Sequence, residues 1–250
     1  MLKDNSYESS KLLGEYLLFH YGNDTDLMPW SSGPQNGFQF PRRTVEDLID
    51  QSSLTPESSR AFDVGCSVGR SSFELTKFCD TVHGCDLSHS FIDAASTLAD
   101  KGELPYQYLE EGDFYKSDLA KVEYDTNKKI SFFVADACAL PLEMKDFDVV
   151  HAANLICRLP DPRLFFNRLP DLVKIGGQLI LATPFTWLND YTPRDKWIGS
   201  GDSEDRLADH LEPYFELEKK VDLPFVIREH RRKFQFSVSL GTRWRRVTSS

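Results

Sequence analysis

Basic residues are in deficit: 29 Lys and Arg stand against 39 Asp and Glu, for a formal charge of −10. A nucleic-acid partner needs a basic footprint, so this balance argues against one. The basic run from Arg228 to Lys233 is too short to make a binding face. Cysteines are few and unpatterned. The five (Cys66, Cys79, Cys85, Cys138 and Cys157) are odd in number and form no C-x-x-C, which leaves neither a disulfide framework nor a structural zinc site. Long apolar runs and a signal-peptide pattern are missing. The expectation is a cytoplasmic protein with no membrane partner, handling small molecules. The dinucleotide signature G-x-G-x-x-G is missing as well.

What is present begins with a chain of 250 residues, long enough to bury a large core without staples. Between residues 10 and 22, Leu12, Leu13, Tyr16, Leu17, Phe19 and His20 recur at helical spacing, and Gly22 is a fitting stop. This helix packs on the domain or acts as a lid, with Tyr16, His20 and Tyr21 leaning over a site. Residues 23–41 read as a long loop anchored by Trp30, Phe38 and Phe40, and Thr44 reads as the N-cap of a helix reaching about Gln51.

An α/β rhythm then starts. Strands are predicted at 60–66, 81–87, 130–136, 147–154 and 178–183, with helices at 71–79, 90–101, 161–172 and 202–211 between or after them. Residues 102–129 break the rhythm. They are polar, acidic and tyrosine-bearing, and are predicted to be an insertion with a short helix near Tyr115 to Val122. Two late strands, 215–221 and 234–244, are too close for a helical crossover and should pair antiparallel. The fold expected is α/β: a Rossmann-like, mostly parallel sheet with one antiparallel strand and helices on both faces. Its boundaries are an N-terminal helical extension or lid at 1–55 and the domain proper at 56–250.

Open α/β sheets bind ligands at the carboxyl ends of their strands. Here those ends carry Asp63-Val-Gly65, Asp86-Leu87, Asp136-Ala137 and Asn154, and a turn with Cys66 and Gly69 follows the first. Each has a job if the ligand is S-adenosylmethionine. Gly65 and Gly69 let the backbone approach it, and Asp63 suits the ammonium of the amino-acid tail, directly or through water. Asp86 suits the ribose hydroxyls, Asp136 and the Ala137 N–H suit adenine, and Asn154 suits the floor near the methyl. Any one of these acids alone also suits a helix cap, a reading the set together disfavours.

The run Asp63-Val-Gly-Cys-Ser-Val-Gly-Arg-Ser-Ser-Phe-Glu-Leu75 resembles the first motif of class I S-adenosylmethionine-dependent methyltransferases. Glu15–Gly22, Asp86–Ala95, Ala153–Arg163, Thr183–Trp187 and Arg228–Lys233 resemble, more narrowly, the mercaptohistidine methyltransferase domain of ovothiol biosynthesis, from about Tyr7 to Arg245. That resemblance implies methylation of an imidazole nitrogen of 5-thiohistidine, giving ovothiol A and S-adenosylhomocysteine. It also implies an iron-dependent sulfoxide synthase as a separate or fused partner. The chain has no His-x3-His-x-Glu iron motif, since Arg206 stands where the first His of a pattern ending His210-Leu-Glu212 belongs, and no metal ligands are assigned.

A small zwitterionic acceptor asks for an Arg at its carboxylate and a carboxylate or aromatic face at its ammonium. Arg158, Arg228 and Arg231 are candidates for the first, and Tyr16, Tyr21, Trp187 and Glu229 for the second. His230 is in range to shuttle a proton, and Tyr21 and Asn154 complete the candidate catalytic set. Alternatives are methylation of another small imidazole or thiol, such as histidine, and a non-catalytic module that only binds S-adenosylmethionine.

Overall fold

The computed structural model describes residues 8–247; residues 1–7, the start of the predicted extension, lie outside them. A seven-stranded sheet runs β5-β2-β1-β6-β7-β9-β8. Its strands are β1 (Arg60–Val64), β2 (Thr81–Asp86), β5 (Lys129–Val134), β6 (Phe147–Ala153), β7 (Val173–Thr183), β8 (Phe215–His230) and β9 (Lys233–Arg246). β1, β2, β5, β6 and β7 pair in parallel, and β9 runs antiparallel to both its neighbours, β7 and β8. The predicted sheet with a single reversed strand is the sheet observed. Its central strands are buried on both faces, β6 almost throughout, as parallel strands covered by helices must be.

Helices cover the sheet: α1 (Ser10–Tyr21), α2 (Asp24–Leu27), α3 (Phe40–Glu46), α4 (Arg70–Leu75), α5 (His89–Lys101), α6 (Pro162–Leu172) and α7 (Ser203–Leu211). One apolar cluster joins α6 and α7 to β6 and β7 through Phe147, Phe165, Leu169, Leu181, Leu207 and Trp244. A second brings Phe19, Phe40 and Phe225 from three distant stretches onto β1 and β6. α1 begins at Ser9, whose side chain accepts from the Leu12 N–H, and ends at Gly22 as expected.

Three expectations fail here. The segment 102–129 holds no helix at 115–122. It forms an antiparallel hairpin, β3 (Glu103–Glu111) and β4 (Phe114–Lys121), turning through Gly112. The physical reason is a period of two: Tyr106 and Tyr108 point inward between exposed neighbours, and with Ala120 they pack on Leu17 and Leu18 of α1 and Leu98 of α5. Thr44 is not an N-cap. It lies inside α3, which starts earlier because Pro41 sits in its first turn, and its hydroxyl donates to the Pro41 carbonyl at 2.9 Å. The stretch 23–41 is not all loop, since α2 is capped by the Asn23 side chain.

The hairpin braces α1. A Cβ at Gly14 would lie 2.0 Å from the Gln107 carbonyl oxygen, so α1 approaches β3 as closely as backbone allows. Further along the same inward face Glu110 pairs with buried Arg228 of β8, with Arg231 at 3.0 Å and with Lys116 at 3.3 Å. Burial opposes its charge, but the Arg231 and Arg228 hydrogen bonds hold the Glu110 carboxyl below the usual range. Arg228 also donates to the Asp26 carbonyl, and the Arg231 carbonyl accepts from Trp30 Nε1 at 2.8 Å.

Candidate active site

A single cavity of about 970 Å³ opens above the carboxyl ends of β1, β2, β5 and β6. Its walls come from both halves of the chain: Asp63 to Ser67, Cys85 to His89 and Ala135 to Ala137 on one side, Tyr16, Phe19, His20, Phe40 and Ile227 on the other, with Asn154, Arg158, Asp190 and Tyr191 between them.

The cofactor side is built by the turn after β1. Gly65 and Gly69 have φ of 74° and 88°, the left-handed region that only glycine enters without strain. Ser67 enters it too, at φ 51°. This curl turns the Ser67 N–H onto Asp86 Oδ2 at 2.9 Å, while the Ser88 N–H reaches Asp86 Oδ1 at 3.0 Å. The Asp86 carboxylate is therefore held from behind by backbone donors and keeps acceptor capacity toward the cavity. Burial raises its pKa, and the Ser88 and Ser67 N–H groups only partly offset that.

The fit of S-adenosylmethionine is tested by Ser67. Its Oγ is buried without a hydrogen-bond partner among the described residues, and the residue lines the cavity beside Asp86. A polar ligand at this wall completes it, as burying a hydroxyl for nothing is costly. Asp136 and Ala137 line the same side, where the Asp136 carboxylate accepts from the Cys138 N–H at 2.8 Å. Leu87 and Cys66 line it as well, and burial pushes the Cys66 thiol well up, so it is not a nucleophile. Gly69 stands behind the turn, its α-carbon packed toward Ala95 and Phe132.

Asp63 lines the cavity, yet both its oxygens are engaged. Oδ2 accepts from Ser72 Oγ at 2.6 Å and Oδ1 lies 2.7 Å from His151 Nδ1. His151 Nε2 in turn sits 3.0 Å from Thr44 Oγ1 of α3. Sequence reasoning missed His151 and Thr44. The available signal was His151 itself, a polar residue inside an otherwise apolar strand, in register with Asp63 on the neighbouring strand.

Asn154 sits at the end of β6 with φ 54°, and its Oδ1 accepts from buried Ser239 of β9 at 2.7 Å. That leaves the amide N–H₂ toward the cavity, a donor and not a base. Arg158 lines the cavity, its Nη1 donating to the Thr186 carbonyl at 2.8 Å and its guanidinium 4.9 Å above the Tyr191 ring. Tyr16 lines it too, 4.9 Å from the Phe91 ring.

Other predicted site residues lie elsewhere. The Tyr21 hydroxyl donates to the Val68 carbonyl at 2.7 Å, and burial pushes its pKa well up, so it braces the glycine turn from outside the cavity. Trp187 lines a separate shallow pocket, where its Nε1 donates to Ser203 and its ring stacks on Trp197. Arg228 is spent on Glu110, and Glu229 pairs with Lys233 at 2.7 Å. His230 is at the β8–β9 turn, its Nδ1 accepting from the Arg232 N–H, and Arg231 stacks over Trp30. The long β8–β9 hairpin carries all four past the cavity, leaving Ile227 as the residue of β8 that reaches it. Among the described residues no cluster of His, Cys, Asp and Glu suits a metal ion.

A reversed penultimate strand in the sheet, a glycine turn after β1 and an acid closing β2 together define a class I methyltransferase site. The profile of the family described as "Methyltransferase domain" matches residues 62–181. Curated relatives include a ubiquinone biosynthesis O-methyltransferase of Coxiella burnetii, 26% identical over 133 residues, which is 53% of this chain and 47% of that protein. The chain thus spans about half the length of the curated relatives it matches. Among solved structures, an S-adenosylmethionine-dependent methyltransferase from Methanosarcina mazei superposes with a TM-score of 0.55 at 17% identity, over 78% of this chain and 95% of that one. A structure described under conversion of a disulfide bond into a thioacetal group in echinomycin biosynthesis gives 0.52 at 18% identity, over 80% and 79%. Residues 62–181 are a class I methyltransferase domain. It is an S-adenosylmethionine-dependent enzyme domain, and S-adenosylmethionine is its cofactor.

Proposed function

We propose that this protein methylates an imidazole nitrogen of 5-thiohistidine, yielding ovothiol A and S-adenosylhomocysteine. The observation that carries the reading is the continuity of the cavity. One void runs from Asp86 on the cofactor side to Phe19, Phe40 and Ile227, so a nucleotide-sized donor and a small ring-bearing acceptor share it. The acceptor-side residues Tyr16, Phe19, His20, Phe40 and Ile227 fall outside the matched segment 62–181. Tyr16, Phe19 and His20 belong instead to Glu15–Gly22, one of the stretches that resemble the mercaptohistidine methyltransferase domain.

Bound S-adenosylmethionine supplies a sulfonium-activated methyl group. The protein's part is chiefly to hold the acceptor close and aligned. In this reading Asp86 and Ser67 fix the donor, and Asp136 and Ala137 frame the adenine. Tyr16, Phe19 and Phe40 flank the acceptor ring, the Asn154 amide orients it, and Arg158 takes its carboxylate through the N–H groups not tied to Thr186. The 5-thiohistidine thiol is acidic enough to make the ring electron-rich, so no strong base is assigned. Asp63, locked to His151 and Ser72, shapes the turn and reaches the donor's ammonium only through water.

The reading places the protein in the cytoplasm, which suits its five free thiols, and next to a separate or fused iron-dependent sulfoxide synthase that supplies the acceptor. Among the described residues no helix is long and apolar enough to cross a membrane.

The test is product mass with S-adenosylmethionine and 5-thiohistidine, run beside histidine and a phenolic acceptor of the kind the Coxiella relative's name suggests. A gain of one methyl on 5-thiohistidine supports the reading. Preference for histidine or the phenol rejects the acceptor, and cofactor binding with no turnover on any of them rejects catalysis.

A further inference from the structure

His20 is on the last turn of α1, its ring 5.3 Å from Phe19 and 6.0 Å from Tyr16. It lines the acceptor side of the cavity. Its Nδ1 is buried and meets no hydrogen-bond partner among the described residues. The ring is half-buried and lines the void, and Nε2, unlike Nδ1, is not among the buried unpartnered atoms. Burial, with the Arg70 guanidinium of α4 adding to it, pulls its pKa down to about 3, so the ring is neutral near neutral pH. A neutral imidazole carries one proton. Orphaned buried N–H groups are rarer than orphaned acceptors, so the unpartnered Nδ1 is the bare nitrogen and Nε2 carries the hydrogen toward the cavity.

We propose that His20 is a specificity-determining residue whose Nε2–H donates a hydrogen bond to the thiolate of the acceptor. The assignment rests on the acceptor reading above and deepens it. The acceptor has two anionic groups. Its carboxylate is matched by the Arg158 guanidinium, which lines the same cavity over the Tyr191 ring. Its thiolate is fixed to the ring and lies in the ring's plane, so it must sit where the ring sits, among Tyr16, Phe19 and Phe40. There His20 offers the directional donor. Tyr21, the neighbouring polar group of α1, is not available because its hydroxyl is committed to Val68. Histidine lacks the sulfur and would leave the Nε2–H facing nothing. A site built to hydrogen-bond one substrate atom rejects an analogue that lacks it.

The experiment compares the wild type, His20→Phe and His20→Gln in three ways. S-adenosylhomocysteine titration checks that each variant folds and keeps its cofactor side, and equal affinities are expected. Next, kcat/KM is measured for 5-thiohistidine and for histidine. His20→Phe, which keeps the ring and loses the donor, should fall about 10- to 100-fold on 5-thiohistidine and hardly change on histidine. His20→Gln, whose amide nitrogen reaches the Nε2 position, should recover part of the loss. Equal losses on both acceptors, or none, overturn the proposal. Finally, long-range proton–nitrogen NMR of the His20 ring with S-adenosylhomocysteine bound should show a neutral ring protonated on Nε2 from about pH 5 to pH 8. A proton on Nδ1, or a charged ring, overturns the assignment whatever the acceptor is. A wild type that methylates no 5-thiohistidine rejects the acceptor reading instead, and the ring spectrum still passes or fails the His20 donor by itself.

Discussion

His151 Nδ1 lies 2.7 Å from Asp63 Oδ1, and each of the two side chains is 1% exposed. Parallel pairing of β1 and β6 sets them side by side, and Thr44 and Ser72 close the ends of the chain of hydrogen bonds. The pair ties the glycine turn to α3, so the cofactor wall and the acceptor wall share a support. His151→Leu leaves a buried carboxylate short of its partner. Urea unfolding should show a loss of about 3 kcal/mol or more, with weaker S-adenosylhomocysteine binding. An unchanged unfolding midpoint would show that the pair is not a support.

Asp86 is expected to be the strongest single contact to the cofactor. Asp86→Ala should weaken S-adenosylhomocysteine binding by about 1.5–3 kcal/mol, the worth of hydrogen bonds to a charged group, read by calorimetry. Its raised pKa sets the pH dependence. The ribose hydroxyls donate to the ionised form, so affinity should drop on acidification while the pH is still above the ordinary Asp range. The Asp86→Asn variant should lack that dependence, and a wild-type affinity flat down to pH 4 contradicts the assignment.

The residues carried past the cavity make a control set. Glu229→Gln and His230→Gln should leave kcat and KM for the acceptor unchanged, since both lie outside the cavity. Arg158→Gln should raise the acceptor KM about 10-fold or more without moving cofactor affinity. The reverse pattern would return the substrate site to the β8–β9 turn.

Gly14→Ala puts a methyl 2.0 Å from the Gln107 carbonyl oxygen. Backbone on both sides cannot yield cheaply, so α1 must shift. A fall in melting temperature is expected, together with a rise in acceptor KM through displacement of Tyr16, Phe19 and His20. A variant as stable and active as the wild type would show that α1 is free to move.

His20 also leaves a mark on stability. Burial and the Arg70 guanidinium bring its folded pKa to about 3, below the ordinary histidine value of 6.5. The unfolded chain therefore binds the proton first, and the stabilisation present above about pH 6.5 is lost as pH falls toward 3. The groups facing the ring are Arg70, Tyr16 and Tyr21. Unfolding free energy against pH should fall less steeply for His20→Phe than for the wild type over this range.

The cofactor half was legible because its signals are local. Asp63, Gly65 and Gly69 sit within one turn, and Asp86 and Asp136 close or follow recognisable strands. The acceptor half was legible only in part: Tyr16, His20, Asn154 and Arg158 were read as candidates and line the cavity, but Phe19, Phe40 and Ile227 were not, because these walls meet only in three dimensions. Phe19, Phe40 and Phe225 are far apart in sequence and touch in the core. Arg228 read as a substrate ligand because its partner Glu110 lies in a segment whose alternation was taken for polarity. Once Tyr106 and Tyr108 are seen as the inward face of a strand, Glu110 falls next to β8 and the arginine has its counter-ion.

The β3–β4 hairpin bears on how this protein can be retargeted. Its residues are spliced into the middle of the cofactor-binding segment, yet its packing supports α1 and β8, which frame the acceptor. A graft that exchanges only the chain ends for those of another methyltransferase would seat foreign helices on the wrong buttress. An exchange of acceptor preference has to move α1, the hairpin and β8 together, as one transplant in three pieces.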